Sequence, residues 1–390
     1  MELEKRNTLI LSIAQGLSVT TTNINMINTG LVGTILATHS SYATIPLSLQ
    51  FLTIALTLIP VSLLMGKFGR RPMFLVGAMS AFIGCLIIAC AIYYKLFSLF
   101  ITGSILLGFS QANQQFYRYA AADNVSINLK SKAISLVLAG GLIAAILGPE
   151  VSRYSFDFFH DYIYLATYLF AAIIQIINFV ILIFIKIKKP QLSKKLHRPL
   201  SDILLQKNLI IAILAAAVGY SLMSFIMTAT PLQIVNVCKL GDSASATVIQ
   251  WHVIAMFAPS FFTGTIISSL GNRKVMMIGL FLYAFSISFT IIGQTIEHFW
   301  IALFLCGLGW NFLYVGGSDI IAKSAFPEER AKVQGVSDFI IFIFVATGSF
   351  LAGALHSSLG WEIMMFYTSI PILILFVSII IIKPDGIKAG

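Results

Sequence analysis

Polar positions in this 390-residue chain bunch into short breaks between long apolar runs. A helix that crosses a bilayer core of about 30 Å needs ~20 mainly apolar residues at 1.5 Å each. Six runs have that length in the first half, at 8–37, 42–66, 71–93, 97–121, 132–154 and 162–187. Six more follow at 207–236, 243–269, 273–295, 298–322, 331–356 and 361–383. The longest polar break, KIKKPQLSKKLHRPLSD, separates the two sets. The pattern predicts an all-α membrane protein of 12 transmembrane helices. Residues 1–187 form one six-helix bundle, 188–206 a cytoplasmic linker, and 207–390 a second six-helix bundle.

Composition agrees: 58% of residues are hydrophobic, 10% are charged, and mean hydropathy is +0.92. A soluble domain carries about 25% charged residues. The net charge of +10 does not point to nucleic acid, because the basic residues sit in the short breaks between runs. Cytoplasmic loops of membrane proteins carry an excess of Lys and Arg. With both termini inside, 21 of the 25 basic residues fall on the cytoplasmic side; Lys95, Arg153 and Lys239 fall outside, and Arg118 lies within a run. That orientation suits a bacterial inner membrane. The N-terminal run continues past signal-peptide length without a small-residue cleavage site, so it reads as the first span. Cys85, Cys90, Cys238 and Cys306 include no CxxC, which argues against a zinc ribbon or a disulfide framework.

The two halves repeat. GRRPMFLVG (Gly69 to Gly77) follows the second run, and GNRKVMMIG (Gly271 to Gly279) follows the eighth, 202 positions later. KSKAISLVL from Lys130 and RAKVQGVSD from Arg330 open the fifth and eleventh, 200 apart. Twelve spans in repeated halves, together with SLLMGKFGRR (Ser62 to Arg71), resemble the major facilitator superfamily. Gly69, Arg70 and Arg71 match that family's loop motif, and Lys67 fits its basic position. The motif's aspartate is replaced by Gly66 here and by Ser268 in the second copy, GTIISSLGNR. The resemblance implies alternating access around a site near the midplane.

Ionisable groups inside spans are costly and mark function. Arg118 and Asp123 lie at the inner end of the fourth run, Asp319 at that of the tenth, and Asp338 in the eleventh. They are candidates for gating or proton coupling, with a cytoplasmic charge network as the plainer alternative. Glu150 follows GLIAAILGP, whose Gly141, Gly148 and Pro149 resemble a motif of proton-coupled drug antiporters. The amides of QANQQFYRY and TTTNINMIN cannot all face lipid, so Asn23, Asn113 and Gln114 are expected to line a wet cavity, with Asn311 in the second half.

One further pattern bears on cargo. Met223 and Met227 share a face of the seventh run, and His252 and Met256 share a face of the eighth, at matching depth. Methionine is ordinary core filler. Thioethers with imidazole nevertheless suit Cu(I). Met-x3-Met and His-x3-Met on consecutive spans resemble the CcoA-type (CalT) copper importers, which supply haem–copper oxidase assembly. The resemblance implies a copper ion or small copper complex as cargo, with Met223, Met227, His252 and Met256 as ligands and Cys238 as a capture residue. The expected protein is thus a monomeric importer surrounded by lipid, without a cofactor and without nucleic acid. A proton-coupled exporter of small amphipathic compounds is the alternative, and a non-transporting sensor a third class. The chain carries no nucleophile–base pair or phosphate loop motif, so an enzyme is not expected.

Overall fold

The computed structural model describes residues 2–39, 42, 45–187, 199–326 and 328–382. Most of the expected linker, 188–198, lies outside the described residues. Among those described, the elements are helical throughout, and they follow the apolar runs. In the first half they are α1 (Glu2–Leu36), α2 (Ile45–Phe68), α3 (Arg70–Tyr94), α4 (Phe97–Gln114), α5 (Tyr117–Asp123), α6 (Lys130–Ala139), α7 (Gly141–Ser155) and α8 (Leu165–Ile183). After the short α9 (Leu200–Leu204) come α10 (Lys207–Pro231), α11 (Asp242–Phe257), α12 (Ser260–Leu270), α13 (Asn272–Ile292), α14 (Ile296–Lys323), α15 (Arg330–Leu359), α16 (Trp361–Tyr367) and α17 (Ser369–Ile381).

Nine described helical segments are long and apolar enough to cross a membrane, and ten if the pair around Pro259, bent by 42°, is one span. Proline cannot donate to the carbonyl one turn back, which accounts for that bend. The first and fourth expected spans are helical but less apolar than these, because Asn, Gln and Thr residues dilute them. A helix rich in amides inside a membrane protein is stable only if those amides are bonded to protein or water.

Contacts divide the chain into two units, Met1–Asn124 with Gly140–Gln191, and Val125–Ala139 with Leu192–Gly390. The fifth expected span is therefore shared. It breaks at Gly140, where a side chain would meet the Ser12 carbonyl. Its second half, α7, packs on α1, and its first half, α6, packs on α12. Gly264 N–H donates to Ser135 Oγ at 2.9 Å, and Lys130 Nζ donates to the Ala322 carbonyl at 3.1 Å.

Within each unit the repeat is visible in detail. Gly69 and Gly271 both have positive φ, +94° and +82°, which a side chain would resist. In the first unit Arg70 pairs with Asp123, while Arg71 Nη2 donates to the Ile183 carbonyl at 2.7 Å. In the second, Asn272 Nδ2 donates to Asp319 at 2.9 Å, while Arg273 Nη2 donates to the Ile380 carbonyl at 2.8 Å. Each arginine satisfies end carbonyls that the helix itself leaves unpaired. Helix pairs approach through glycines in both units. The absent Cβ of Gly84 lies 2.9 Å from the Gly103 carbonyl, and that of Gly279 lies 3.1 Å from the Gly309 carbonyl. Such small-residue contacts let membrane helices gain dispersion energy where lipid removes the hydrophobic drive. Leu56, Phe281, Phe285, Leu373 and Ile374 stay exposed, as lipid-facing side chains do.

Candidate substrate site

The first unit concentrates its buried polarity on α1, α2, α4 and α8. Thr21, Asn25 and Asn28 recur at helical spacing on one face of α1. Tyr168 O–H donates to Asn25 Oδ1 (2.8 Å), Asn25 Nδ2 to Gln50 Oε1 (2.6 Å), and Gln50 Nε2 to Gln111 Oε1 (3.0 Å). A second chain has Gln175 Nε2 donating to Thr21 Oγ1 (2.7 Å) and Asn178 Nδ2 donating to Ser18 Oγ (3.0 Å). All of these side chains are at most 8% exposed. In a low-dielectric interior an unpaired amide costs more than in water, so such chains fix one rotamer at each member.

Between these chains lies a recess of about 240 Å³ with its open mouth included, lined by Ser18, Thr21, Ser110, Gln111, Gln114 and Gln175 on its polar side and by Ala81 and Leu107 on its apolar side. Most of that space is the open mouth: the enclosed part has room for about one water, so a ring enters only when the helices lining it part. Among the described residues the Gln114 amide and Gln111 Nε2 have no hydrogen-bond partner. Neither Lys, Arg, Asp nor Glu lines the recess.

Gln114 is the last residue of α4, and the helix breaks at Gln115 and Phe116 before α5. Arg118, 2% exposed, braces that break. Its Nη1 donates to Gln115 O (2.8 Å) and Oε1 (2.9 Å), its Nη2 donates to Tyr119 Oη (3.0 Å), and its guanidinium lies 4.3 Å from the Tyr119 ring centroid.

Of the four expected cavity residues, the recess takes only Gln114. Asn23 Nδ2 reaches the Ala144 carbonyl at 3.4 Å. Asn113 donates to the Phe109 carbonyl and packs where a Gly77 side chain would stand. Asn311 joins α14 to α11, donating to the Met256 carbonyl at 2.6 Å and accepting from Thr263 Oγ1 at 2.6 Å. The amides that complete the first unit's polar core, Gln50, Gln175 and Asn178, were not expected from the sequence. Gln50 is the lone amide of the second apolar run, and Gln175 and Asn178 are the two amides of the sixth, three apart, which is the available signal.

None of the charged candidates lines the recess. Asp123 pairs with Arg70, and Asp319, fully buried, pairs with Lys323 at 2.6 Å. Asp338 is buried in α15. Glu150 pairs with Arg153 at 2.7 Å, with the two side chains 35% and 64% exposed. An exposed pair of that kind contributes little.

The sulfur and imidazole residues lie in the second unit. Met223, His252 and Met256 are buried, and Met227 is half-buried. Both α10 and α11 pack on α14. Met223 is one turn beyond Gly219, which packs on Leu313, whereas His252 and Met256 pack against Leu303 and Gly307. His252 Nδ1 donates to the Leu303 carbonyl at 2.7 Å, leaving Nε2 buried without a partner. Among the described residues no group of three or more His, Cys, Asp or Glu gathers as a metal site. Further along α14, Trp310 stacks on Tyr314 (4.9 Å between centroids), with Tyr220 and Phe257 edge-on at 5.5 and 5.6 Å. Cys238 ends a π-helical turn (Leu232–Val237), and its thiol donates to Gln294 Oε1 at 3.2 Å. Gln233 Nε2 donates to the same oxygen at 2.8 Å, and His356 Nε2 donates to Gln233 Oε1 at 2.8 Å.

Amide chains inside apolar helices, repeated basic turns and two helical units define a multi-pass membrane transporter. The sequence profile of the Major Facilitator Superfamily matches residues 10–249 and again 234–388, and the chain belongs to that superfamily. It is therefore a transporter and not an enzyme. It is 38% identical over 390 residues to the riboflavin transporter RfnT of Brucella anthropi, covering 99% of this chain and 98% of that one. It is 28% identical over 378 residues to the uncharacterised transporter YdeG of Bacillus subtilis, covering 90% and 86%. In fold it resembles the human organic anion transporter MFSD10 (TM-score 0.78, 13% identity, 96% and 99% covered) and the transporter FucP (0.76, 13%, 97% and 99%). The specific resemblance to CcoA-type copper importers finds no support among these relatives, of which RfnT is named for riboflavin and MFSD10 for organic anions.

Proposed function

We infer that the chain carries riboflavin or a related flat heterocycle across a bacterial cytoplasmic membrane, with both termini inside and without an obligate partner chain. The observation that carries the reading is the 38% identity to a riboflavin transporter over nearly the full length of both chains. The uncharged, amide-lined recess of the first unit supports it, because a neutral heterocycle is held by hydrogen bonds and ring contacts rather than by ion pairs. The test is uptake of radiolabelled riboflavin by a riboflavin-auxotrophic bacterium expressing the chain. Saturable uptake that excess unlabelled riboflavin abolishes is expected. Growth and uptake no better than in empty cells refute the reading.

A second reading, copper import, is favoured by one observation. His252 has its Nδ1 committed to the Leu303 carbonyl and its Nε2 bare in the interior, with Met256 one turn on. A metal-binding imidazole is commonly oriented in this way by its second nitrogen. Radioactive copper uptake by the same cells, wild type against His252→Gln and Met227→Leu, decides it. Equal copper accumulation in all three removes the copper reading. Loss in both variants with riboflavin uptake retained establishes copper as a second cargo.

A further inference from the structure

We propose that Gln114, with Gln111 beside it, reads an imide edge of the transported ring, the C(=O)–NH–C(=O) side of a pyrimidinedione. The inference rests on the flavin-class reading above and names the part of the molecule that the first unit recognises.

Two side chains in the recess keep unused hydrogen-bonding capacity. A carboxamide presents one acceptor and two donors side by side. Gln111 Oε1 is already occupied by Gln50, so its amide is fixed with Nε2 as the spare donor. Gln114, three residues on and on the same helix face, keeps both oxygen and nitrogen free in the same recess. The spare set is therefore two donors and an acceptor. An imide edge offers the complement, with one N–H between two carbonyl oxygens. Gln114 takes the N–H and one carbonyl in the bidentate manner by which Gln and Asn read base edges, and Gln111 Nε2 donates to the other carbonyl.

The surroundings fit that ligand. In this structure the enclosed part of the recess has room for about one water, and the ring edge reaches the two amides when the lining helices part in the alternating-access cycle. Ala81 and Leu107 supply an apolar flank for a ring face. The recess has no cation to hold an acidic group and no carboxylate to hold an amine.

The test is competition against labelled riboflavin uptake in cells, repeated on purified protein by quenching of riboflavin fluorescence. N3-methylriboflavin loses the N–H, and lumichrome keeps the imide while losing the ribityl chain. A site built around a donor–acceptor pair rejects the analogue that leaves it unpaired by large factors. In the wild type, N3-methylriboflavin should compete at least 100-fold less well than riboflavin, and lumichrome should still compete. In Gln114→Leu, riboflavin should weaken at least tenfold and the discrimination against N3-methylriboflavin should fall toward one. Gln111→Leu should weaken riboflavin and retain part of the discrimination. If N3-methylriboflavin competes as well as riboflavin, the inference is overturned while the flavin reading stands. Failure of lumichrome to compete overturns it equally, because the ribityl chain is then what is read. Absence of riboflavin uptake overturns both. If Gln114→Leu does not reach the membrane, the wild-type analogue series alone still decides.

Discussion

Gln50 is the middle of the buried chain that runs from Tyr168 through Asn25 to Gln111, and replacing it with leucine tests whether that chain orders the first unit. Leucine fills similar space but removes both amide groups. Asn25 Nδ2 then loses a 2.6 Å acceptor, and Gln111 Oε1 loses a 3.0 Å donor. Each stranded buried group costs about 1–3 kcal/mol, so the two together cost roughly 2–6 kcal/mol. Burying leucine instead of an amide returns at most about 1.5–3 kcal/mol. Hydrogen bonds between membrane helices average about 0.6 kcal/mol in double-mutant cycles, which sets a floor near ~1 kcal/mol for two of them. The expected net loss is about 1–3 kcal/mol. It is read by denaturant-driven unfolding in mixed micelles. Asn25→Leu and the Asn25→Leu, Gln50→Leu double variant complete a cycle. Replacing both partners removes the stranded groups between them, so the double variant should be less damaged than the sum of the singles by at least about 0.5 kcal/mol. Gln50→Leu within about 0.5 kcal/mol of wild type, or strictly additive singles, would refute the claim that this chain is an ordered network.

Two further outcomes follow from the packing. Gly264→Val should lower stability by at least about 2 kcal/mol, because a Cβ there would stand 2.6 Å from the Ser131 carbonyl and 2.7 Å from Lys132 Cα, backbone atoms that cannot step aside. Gly30→Ala, with nothing within 4 Å, is the matched control and should be neutral or slightly stabilising in the same unfolding assay. Arg118→Lys keeps the charge but cannot fork to Gln115 O and Oε1 together. It should lose about 1–2 kcal/mol in that assay and raise the KM for riboflavin by loosening the turn after Gln114. Unchanged stability and KM would show that Arg118 does not brace the break.

Several features were legible from residue order alone. Helix positions follow from apolar run length, since a bilayer-spanning helix must satisfy its backbone internally over a fixed thickness. The repeat was legible because Gly69 and Gly271 occupy the same special φ, and the arginine two positions on caps a helix end in each unit. The breaks at Gly140 and at Gln115 were not. Both depend on how another helix or a buried arginine meets the chain there, and neither Gly nor Gln announces that locally.

For the site, the sequence determined that α1 and α4 carry too many amides to face lipid, because transfer of such groups into hydrocarbon is costly whatever the fold. Residue counts from the ends of the seventh and eighth runs also led to the expectation that Met223, Met227, His252 and Met256 share a depth, since rise along a helix is fixed per residue. Tertiary structure decided which of these groups are already spent. Asn23, Asn113 and Asn311 give their amide nitrogens to carbonyls of their own or neighbouring helices, Asn113 keeping a buried Oδ1 without a partner, and Gln111 is half consumed by Gln50, while Gln114 is left open. His252 is likewise half spent, its Nδ1 committed to the Leu303 carbonyl and its Nε2 left without a partner, because azimuth, unlike depth, depends on which neighbour each helix packs against. Sequence counts the donors and acceptors in a membrane helix, and only the packing of the neighbouring helices settles which of them remain for a substrate.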